Sequence, residues 1–221
     1  MKHIIPILCL VGPFGFLEVS SRADISHTKH NLSVTGPGPL RAYQERQVCV
    51  FCHTPHAARK EAPLWNRADT GRTYITYWSP TLDAYGQGGA PEVDGNSRLC
   101  LSCHDGTVAL GDVLQGGPIQ MQPGADRIQP KGGLSGTDLS GSHPISFPVT
   151  ESLIARNNAK DMPLKPLSAI KADRDVKLDS NDKVQCTTCH DAHSNKNDLS
   201  SGVPFYRKPT WEGVCLVCHD F

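Results

Sequence analysis

Eight cysteines of this 221-residue chain fall into four pairs of one spacing: Cys49/Cys52, Cys100/Cys103, Cys186/Cys189 and Cys215/Cys218. A histidine follows every pair, at His53, His104, His190 and His219. The strings are CVFCH, CLSCH, CTTCH and CLVCH. Two thiols three positions apart can each form a thioether with one vinyl group of a porphyrin, and the adjacent imidazole then lies under the iron as proximal ligand. Paired C-x-x-C could also build zinc ribbons or disulfides, but neither needs histidine after each pair. The expected cofactors are therefore four covalently bound haem c groups.

Each iron needs a sixth ligand or keeps an open position, and that choice separates an electron carrier from a catalyst. The other histidines after residue 23 are His27, His30, His56, His143 and His193, while methionine is reduced to Met121 and Met162. Bis-histidine ligation is the economical expectation, with lower potentials than His/Met ligation. In HTPH and HDAH, His56 and His193 follow a motif histidine by three. Residues so spaced in a turn project to the same side, so they cannot clamp opposite faces of one haem. Each should reach a different iron and bring two haems into near contact.

An internal repeat apportions the ligands. H-N-L-S at His30, CVFCHTPH, Pro63-Leu64-Trp65 and CLSCHD run in the same order as H-P-I-S at His143, CTTCHDAH, Pro204-Phe205-Tyr206 and CLVCHD. Each half has two motifs and two spare histidines, giving His30, His56, His143 and His193 as distal ligands. His27 is left as a surface residue, with ligation in place of His30 as the alternative. The working assignment keeps ligands within a half: His56 to the Cys100/Cys103 haem, His30 to Cys49/Cys52, His193 to Cys215/Cys218 and His143 to Cys186/Cys189. Donation between halves or between subunits would break that pairing.

The elements that position these groups should be modest. Aromatic residues make up only 6% of the chain, against 20 Gly and 17 Pro, so an ordinary core is hard to build and bound porphyrins must supply apolar mass. The expected fold is a multihaem cytochrome c, mostly coil, with short helices around the motifs, little β structure and two duplicated dihaem modules. A strand within Tyr74 to Trp78 and a helix over Glu151 to Ala159 are predicted. Trp65, Trp78 and Trp211 are expected against porphyrin faces, with Arg98 and Arg207 as propionate partners or ordinary surface cations. Residues 1–23 look like a secretory signal peptide that removes Cys9, with Asp24 as the first mature residue. Residues 24–115 form the first module, 116–142 a Gly/Pro-rich connecting surface loop and 143–221 the second module. No later stretch is apolar enough to span a membrane, and a formal charge of zero without a basic stripe argues against nucleic acid.

KHNLS, CVFCHTPH, PLWN, CLSCHDGTVA, SHPISF and CTTCHDAH together resemble the tetrahaem cytochromes that polymerise into extracellular nanowires. The resemblance runs from about His30 to the last motif. It implies four six-coordinate haems, ligated distally by His30, His56, His143 and His193, in a continuous chain of alternating stacked and T-shaped pairs. It also implies self-association, one histidine ligating a haem of the next subunit, and electron delivery to an acceptor at or beyond the outer surface. A monomeric periplasmic or surface shuttle exchanging with redox partner proteins is the alternative. A multihaem nitrite or hydroxylamine oxidoreductase is disfavoured, because spare histidines cover every iron and no lysine replaces a motif histidine. A zinc-binding interaction protein is the remaining alternative.

Overall fold

The computed structural model describes residues 24–60, 62–85, 89–158 and 163–220. The leader reading for residues 1–23, Cys9 and Met162 lie outside them. Most of the described chain is irregular, with six short α-helices and one two-stranded sheet. The helices are α1 (Gly95–His104), α2 (Glu151–Asn157), α3 (Leu167–Ala172), α4 (Cys186–Cys189), α5 (Asp198–Ser201) and α6 (Trp211–Cys218). Two 3-10 turns, Ile25–His27 and Cys49–Phe51, precede them. Among the described residues no helix is long and apolar enough to cross a membrane.

Local chemistry explains where the helices start. The Thr150 hydroxyl accepts from Leu153 N at 3.1 Å, with Glu151 in the first turn and Arg156 in the last, so α2 is capped and dipole-matched. Its Leu153 and Ile154 face a cluster with Phe147, Val149, Ile170 and Val184. Thr210 caps α6 in the same way, accepting from Gly213 N at 3.1 Å. At α4 the cap is reciprocal, between the Gln185 and Thr188 side chains and each other's backbone.

The strand predicted within 74–78 is β1 (Ile75–Thr76), paired in parallel with β2 (Asp138–Leu139). β2 belongs to the 116–142 segment, which is irregular as expected but closely attached to the residues before it. Gln120 O accepts from Tyr43 N, Gln122 N donates to Arg41 O, and Ile119, Ala125 and Leu139 are buried. Its return is tight: Ile119 N donates to Gly111 O, and a Cβ on Gly111 would sit 1.9 Å from Ile119 O, so only glycine fits.

No single large core forms among the described residues. The buried apolar side chains make three separate clusters, of six, four and three residues. The motif cysteines border these clusters: Cys218 touches the first, Cys186 the second and Cys52 the third. The apolar material is thus distributed around the four attachment segments.

Candidate haem-attachment sites

Three of the four motifs are held by the same device. The turn or helix carrying the two cysteines ends at the histidine, which forms an isolated antiparallel bridge with a short strap: His53 with Trp65, His190 with Tyr206, His219 with Leu164. In each case the residue after the histidine donates its N–H to the strap, Thr54 to Leu64 O, Asp191 to Phe205 O and Asp220 to Pro163 O. The strap's next residue donates back to the second cysteine, Asn66 to Cys52 O, Arg207 to Cys189 O and Lys165 to Cys218 O.

That same strap residue then uses its side chain on the carbonyl just after the first cysteine. Asn66 Nδ2 reaches Val50 O at 2.7 Å, Arg207 Nε reaches Thr187 O at 2.7 Å, and Lys165 Nζ reaches Leu216 O at 2.6 Å. In the two straps that follow their motifs, Leu64 and Phe205 take left-handed φ values of 67° and 60°, matching residues of the internal repeat. Such a backbone costs about 1 kcal/mol or more per residue, sustained here by the paired bonds on both sides. The third strap, Pro163-Leu164-Lys165, lies upstream of its motif and outside the repeat identified in the sequence. Its signal was a Pro-Leu-polar run echoing Pro63-Leu64.

The second motif is built differently. α1 runs through His104, and Asp105 and Gly106 close it, with Gly106 left-handed at φ 72°. Asp105 is buried and accepts from Thr107 N and Oγ1 and from Tyr74 Oη. Arg67, fully buried, donates to Ser102 O within the motif and to Ala109 O and Leu110 O beyond it.

The four attachment segments adjoin one another in chain order. Cys52 lies close enough to Cys103 to feel its charge. Cys100 hydrogen-bonds Cys186 where α1 packs on α4, and Cys189 senses Cys218 and Cys215. Gln185 locks the central junction: its Oε1 accepts from Ser97 N and Oγ, its Nε2 donates to Asp94 and Asp179, and Ser97 Oγ accepts from Cys186 N. Burial pushes the Cys52 and Cys189 thiols up to about 12 and Cys218 to about 11. Cys100 also rises, through its bond with Cys186 and then burial. The eight described cysteines form no disulfide.

The histidines give the most specific geometry. The His30 and His104 ring centroids are 6.0 Å apart with planes at 70°, and those of His53 and His193 are 6.0 Å apart at 18°. Trans axial imidazoles, each bonded to a metal at about 2 Å, hold their centroids about 6 Å apart, at any angle about the common axis. Each pair joins one motif histidine to one distal candidate. The within-half assignment does not describe this arrangement. His30 meets His104 and not His53, and His193 crosses to the first half and meets His53. The reason is tertiary: His30 stacks on Phe205 at 4.2 Å and its Nδ1–H donates to Ala192 O at 2.8 Å, so residues near His30 dock on the second half's HDAH turn.

Three of these rings are oriented in the way that metal-binding imidazoles require. The Nδ1 atoms of His30, His143 and His190 sit 2.8–2.9 Å from the backbone oxygens of Ala192, Pro144 and Pro204. An Nδ1–H fixed this way leaves Nε2 unprotonated for a metal. Burial lowers His30 and His143, and lowers His104 to about 4 with added repulsion from His30 and His190, so each stays neutral. His104 and His143 nonetheless keep solvent access. His143 precedes Ile145, which packs in the cluster touching Cys186. His56 is exposed, and His27 is 80% exposed and paired with Asp24 at 2.6 Å.

These residues fit haem c. Thiols in pairs, neutral imidazoles with anchored Nδ1 atoms and two ring pairs at axial spacing are what the group asks of a protein. Among the described residues no three or more His, Cys, Asp or Glu side chains gather into a bare-ion site. A porphyrin iron takes only two ligands from the chain. Of the other expected partners, Trp65 meets His53 edge-on at 5.8 Å, while Trp78 and Trp211 are 67% and 54% exposed. Arg98 is held by Asp69 and Glu92, and Arg207 by Thr187 O with Asp191 at 3.7 Å. The chain matches no family model and no curated protein.

Proposed function

We propose that this chain is an exported tetrahaem c-type cytochrome that carries electrons along four bis-histidine haems and is not itself a catalyst. The observation that carries this is the pair of 6.0 Å imidazole contacts, His30 with His104 and His53 with His193. Each bound iron would supply a reversible one-electron couple. His30 with His104, and His193 with His53, would each supply two imidazoles to one bound iron, which would favour outer-sphere transfer over substrate binding. Adjacency of the attachment segments in chain order gives the electron a continuous path.

His143 is assigned to the Cys186/Cys189 haem, through Ile145 and its contact with Cys186. His56 is then left for the Cys215/Cys218 haem. Its exposure, together with the family resemblance, supports donation to a second copy and hence self-association into a filament delivering electrons to an extracellular acceptor.

Mass spectrometry and a haemochrome assay of the secreted protein should give four haems per chain, with a low-spin spectrum unchanged by cyanide or nitrite. A bare polypeptide would sink the cofactor, and a substrate-binding high-spin iron would sink the carrier role. Electron microscopy should show filaments that His56→Ala disperses. Particles of single-chain size in the unaltered protein would leave a monomeric shuttle instead.

A further inference from the structure

Arg67 and Lys208 occupy the same place in the two halves, two residues beyond the strap residue that pairs with a motif histidine (Trp65 and Tyr206). Their surroundings are opposite. Arg67 is 0% exposed, its donors meet only the Ser102, Ala109 and Leu110 carbonyls, its Nε has no partner, and among the described residues no carboxylate pairs with it. Lys208 is held by two carboxylates, Asp173 at 2.8 Å and Asp175 at 3.4 Å.

The remaining charges sharpen the contrast. Aspartate follows the motif histidine at three sites, Asp105, Asp191 and Asp220, but threonine, Thr54, follows at the first. Arg207 is offset by Asp191. At the second motif a buried carboxylate, Asp105, belongs to the same segment that Arg67 bonds through Ser102 O. Among the described residues only the Cys49/Cys52 site has a buried cation nearby with no carboxylate next to its histidine.

We propose that Arg67, a buried charge with no paired carboxylate among the described residues, makes the Cys49/Cys52 haem the most positive in potential of the four, and so the terminus toward which electrons run within one chain. This rests on the haem reading above. A fixed positive charge stabilises the reduced iron, and burial keeps it from being screened. The side chain lies between the two sites: Asn66, the residue before Arg67, bonds Cys52 O and Val50 O, while the guanidinium donates to Ser102 O. Two halves with one backbone plan thereby acquire unequal affinities for an electron.

The test is a potentiometric titration of the four-haem protein, with individual haems resolved by NMR and the Cys49/Cys52 haem identified through its response to His193→Ala. It should be the first to reduce. Arg67→Met should lower it, changing its electron-exchange equilibrium with the second half about tenfold, which is about 59 mV for a one-electron centre. Arg67→Lys, which keeps the charge, should recover most of that shift. Asp173→Asn with Asp175→Asn should raise the second-half potentials. A Cys49/Cys52 haem that is not the most positive, or equal shifts from Arg67→Met and Arg67→Lys, overturns the proposal. If Arg67→Met does not fold, the paired aspartate variant still decides, because unmoved second-half potentials contradict the electrostatic account. Failure to find haem at all would overturn the function and not this charge argument alone.

Discussion

At Cys49, Cys186 and Cys215 the attachment segment ends at a histidine bridged to a strap, whereas at Cys100 it is the last part of a ten-residue helix that continues through its histidine. The backbone of His190 (φ −117°, ψ 139°) and that of His219 (φ −99°, ψ 150°) is extended, so the next N–H can pair with a strap. Asp105 is instead helical at φ −80°, ψ −11°, and Gly106 turns the chain away. What survives both solutions is the satisfaction of carbonyls inside the C-x-x-C segment by a side-chain donor: Asn66, Arg207 and Lys165 from straps, Arg67 from behind the helix. Those carbonyls have no helical partner of their own, and leaving one buried and unpaired costs about 1–3 kcal/mol. Holding the motif is therefore a hydrogen-bonding problem before it is a packing problem.

The largest break in this comparison should come from the axial pairs. His30→Ala should turn one haem of four high-spin, and that haem should be the helical site at Cys100/Cys103. His193→Ala should do the same at the strapped Cys49/Cys52 site. Electron paramagnetic resonance of the two variants checks it. His27→Ala, in contrast, should leave the spectrum unchanged. If His30→Ala disturbs the Cys49/Cys52 haem, the cross-half pairing is wrong.

The straps come next, and they are unequal. Asn66 is fully buried, and its amide serves Val50 O and Gln115 O while accepting from Gln115 N at 2.8 Å. Asn66→Ala removes three bonds in a place without water and should cost about 3 kcal/mol. Arg207→Ala loses one bond to Thr187 O and a partly exposed contact with Asp191, for about 1 kcal/mol. Chemical denaturation of the haem-loaded protein measures both.

Much of the fold's character was legible because it depends on local chemistry. The scarcity of large side chains foretold a chain without one ordinary core, the run from Glu151 predicted the start of α2, and the run at 74–78 contains β1. The described part of α2 ends at Asn157, and residue 159 of the expected helix lies outside the described residues. What could not be read depends on distant partners. The pairing of His30 with His104 is set by Phe205 and Ala192, more than 160 residues away in the chain. Pro163-Leu164-Lys165 lacks the aromatic residue that drew attention to Trp65 and Tyr206, and the pairing of β1 with β2 was hidden because β2 lies in a glycine-rich segment. The buried role of Arg67 was equally invisible, since an arginine beside a polar run is ordinarily solvated.

Acid should weaken the first half through Asp69. Arg98 beside it, with Gly71 N–H and Arg59, holds the Asp69 carboxyl well below the usual carboxylate range. A depressed folded-state pKa gives stability that is complete above the unfolded value of about 4 and is lost as pH falls through the folded one. Denaturation midpoints of the unaltered protein should therefore fall below about pH 4, and Asp69→Asn should show a lower midpoint at neutral pH with a shallower acid limb. An acid limb as steep as that of the unaltered protein would remove Asp69 from the account.

The smallest effect should come from the strap that repeats the device with the least burial. Lys165 Nζ reaches Leu216 O at 2.6 Å through a partly exposed side chain, so water can replace the donor when it is removed. Lys165→Ala should cost no more than about 0.5 kcal/mol and leave the Cys215/Cys218 haem low-spin. The backbone bonds from Lys165 N to Cys218 O and from Asp220 N to Pro163 O remain, and these hold His219 extended. Leu164→Pro deletes no bond to the motif directly, yet residue 164 would be forced to φ near −65° and Pro163 pushed toward extended backbone. A proline variant that is tolerated as easily as alanine at 165 would mean the strap follows the motif's shape without imposing it. If only the proline variant loosens the Cys215/Cys218 haem, the paired backbone is what positions the fourth site, and the side-chain donor is an accessory that matters in proportion to its burial.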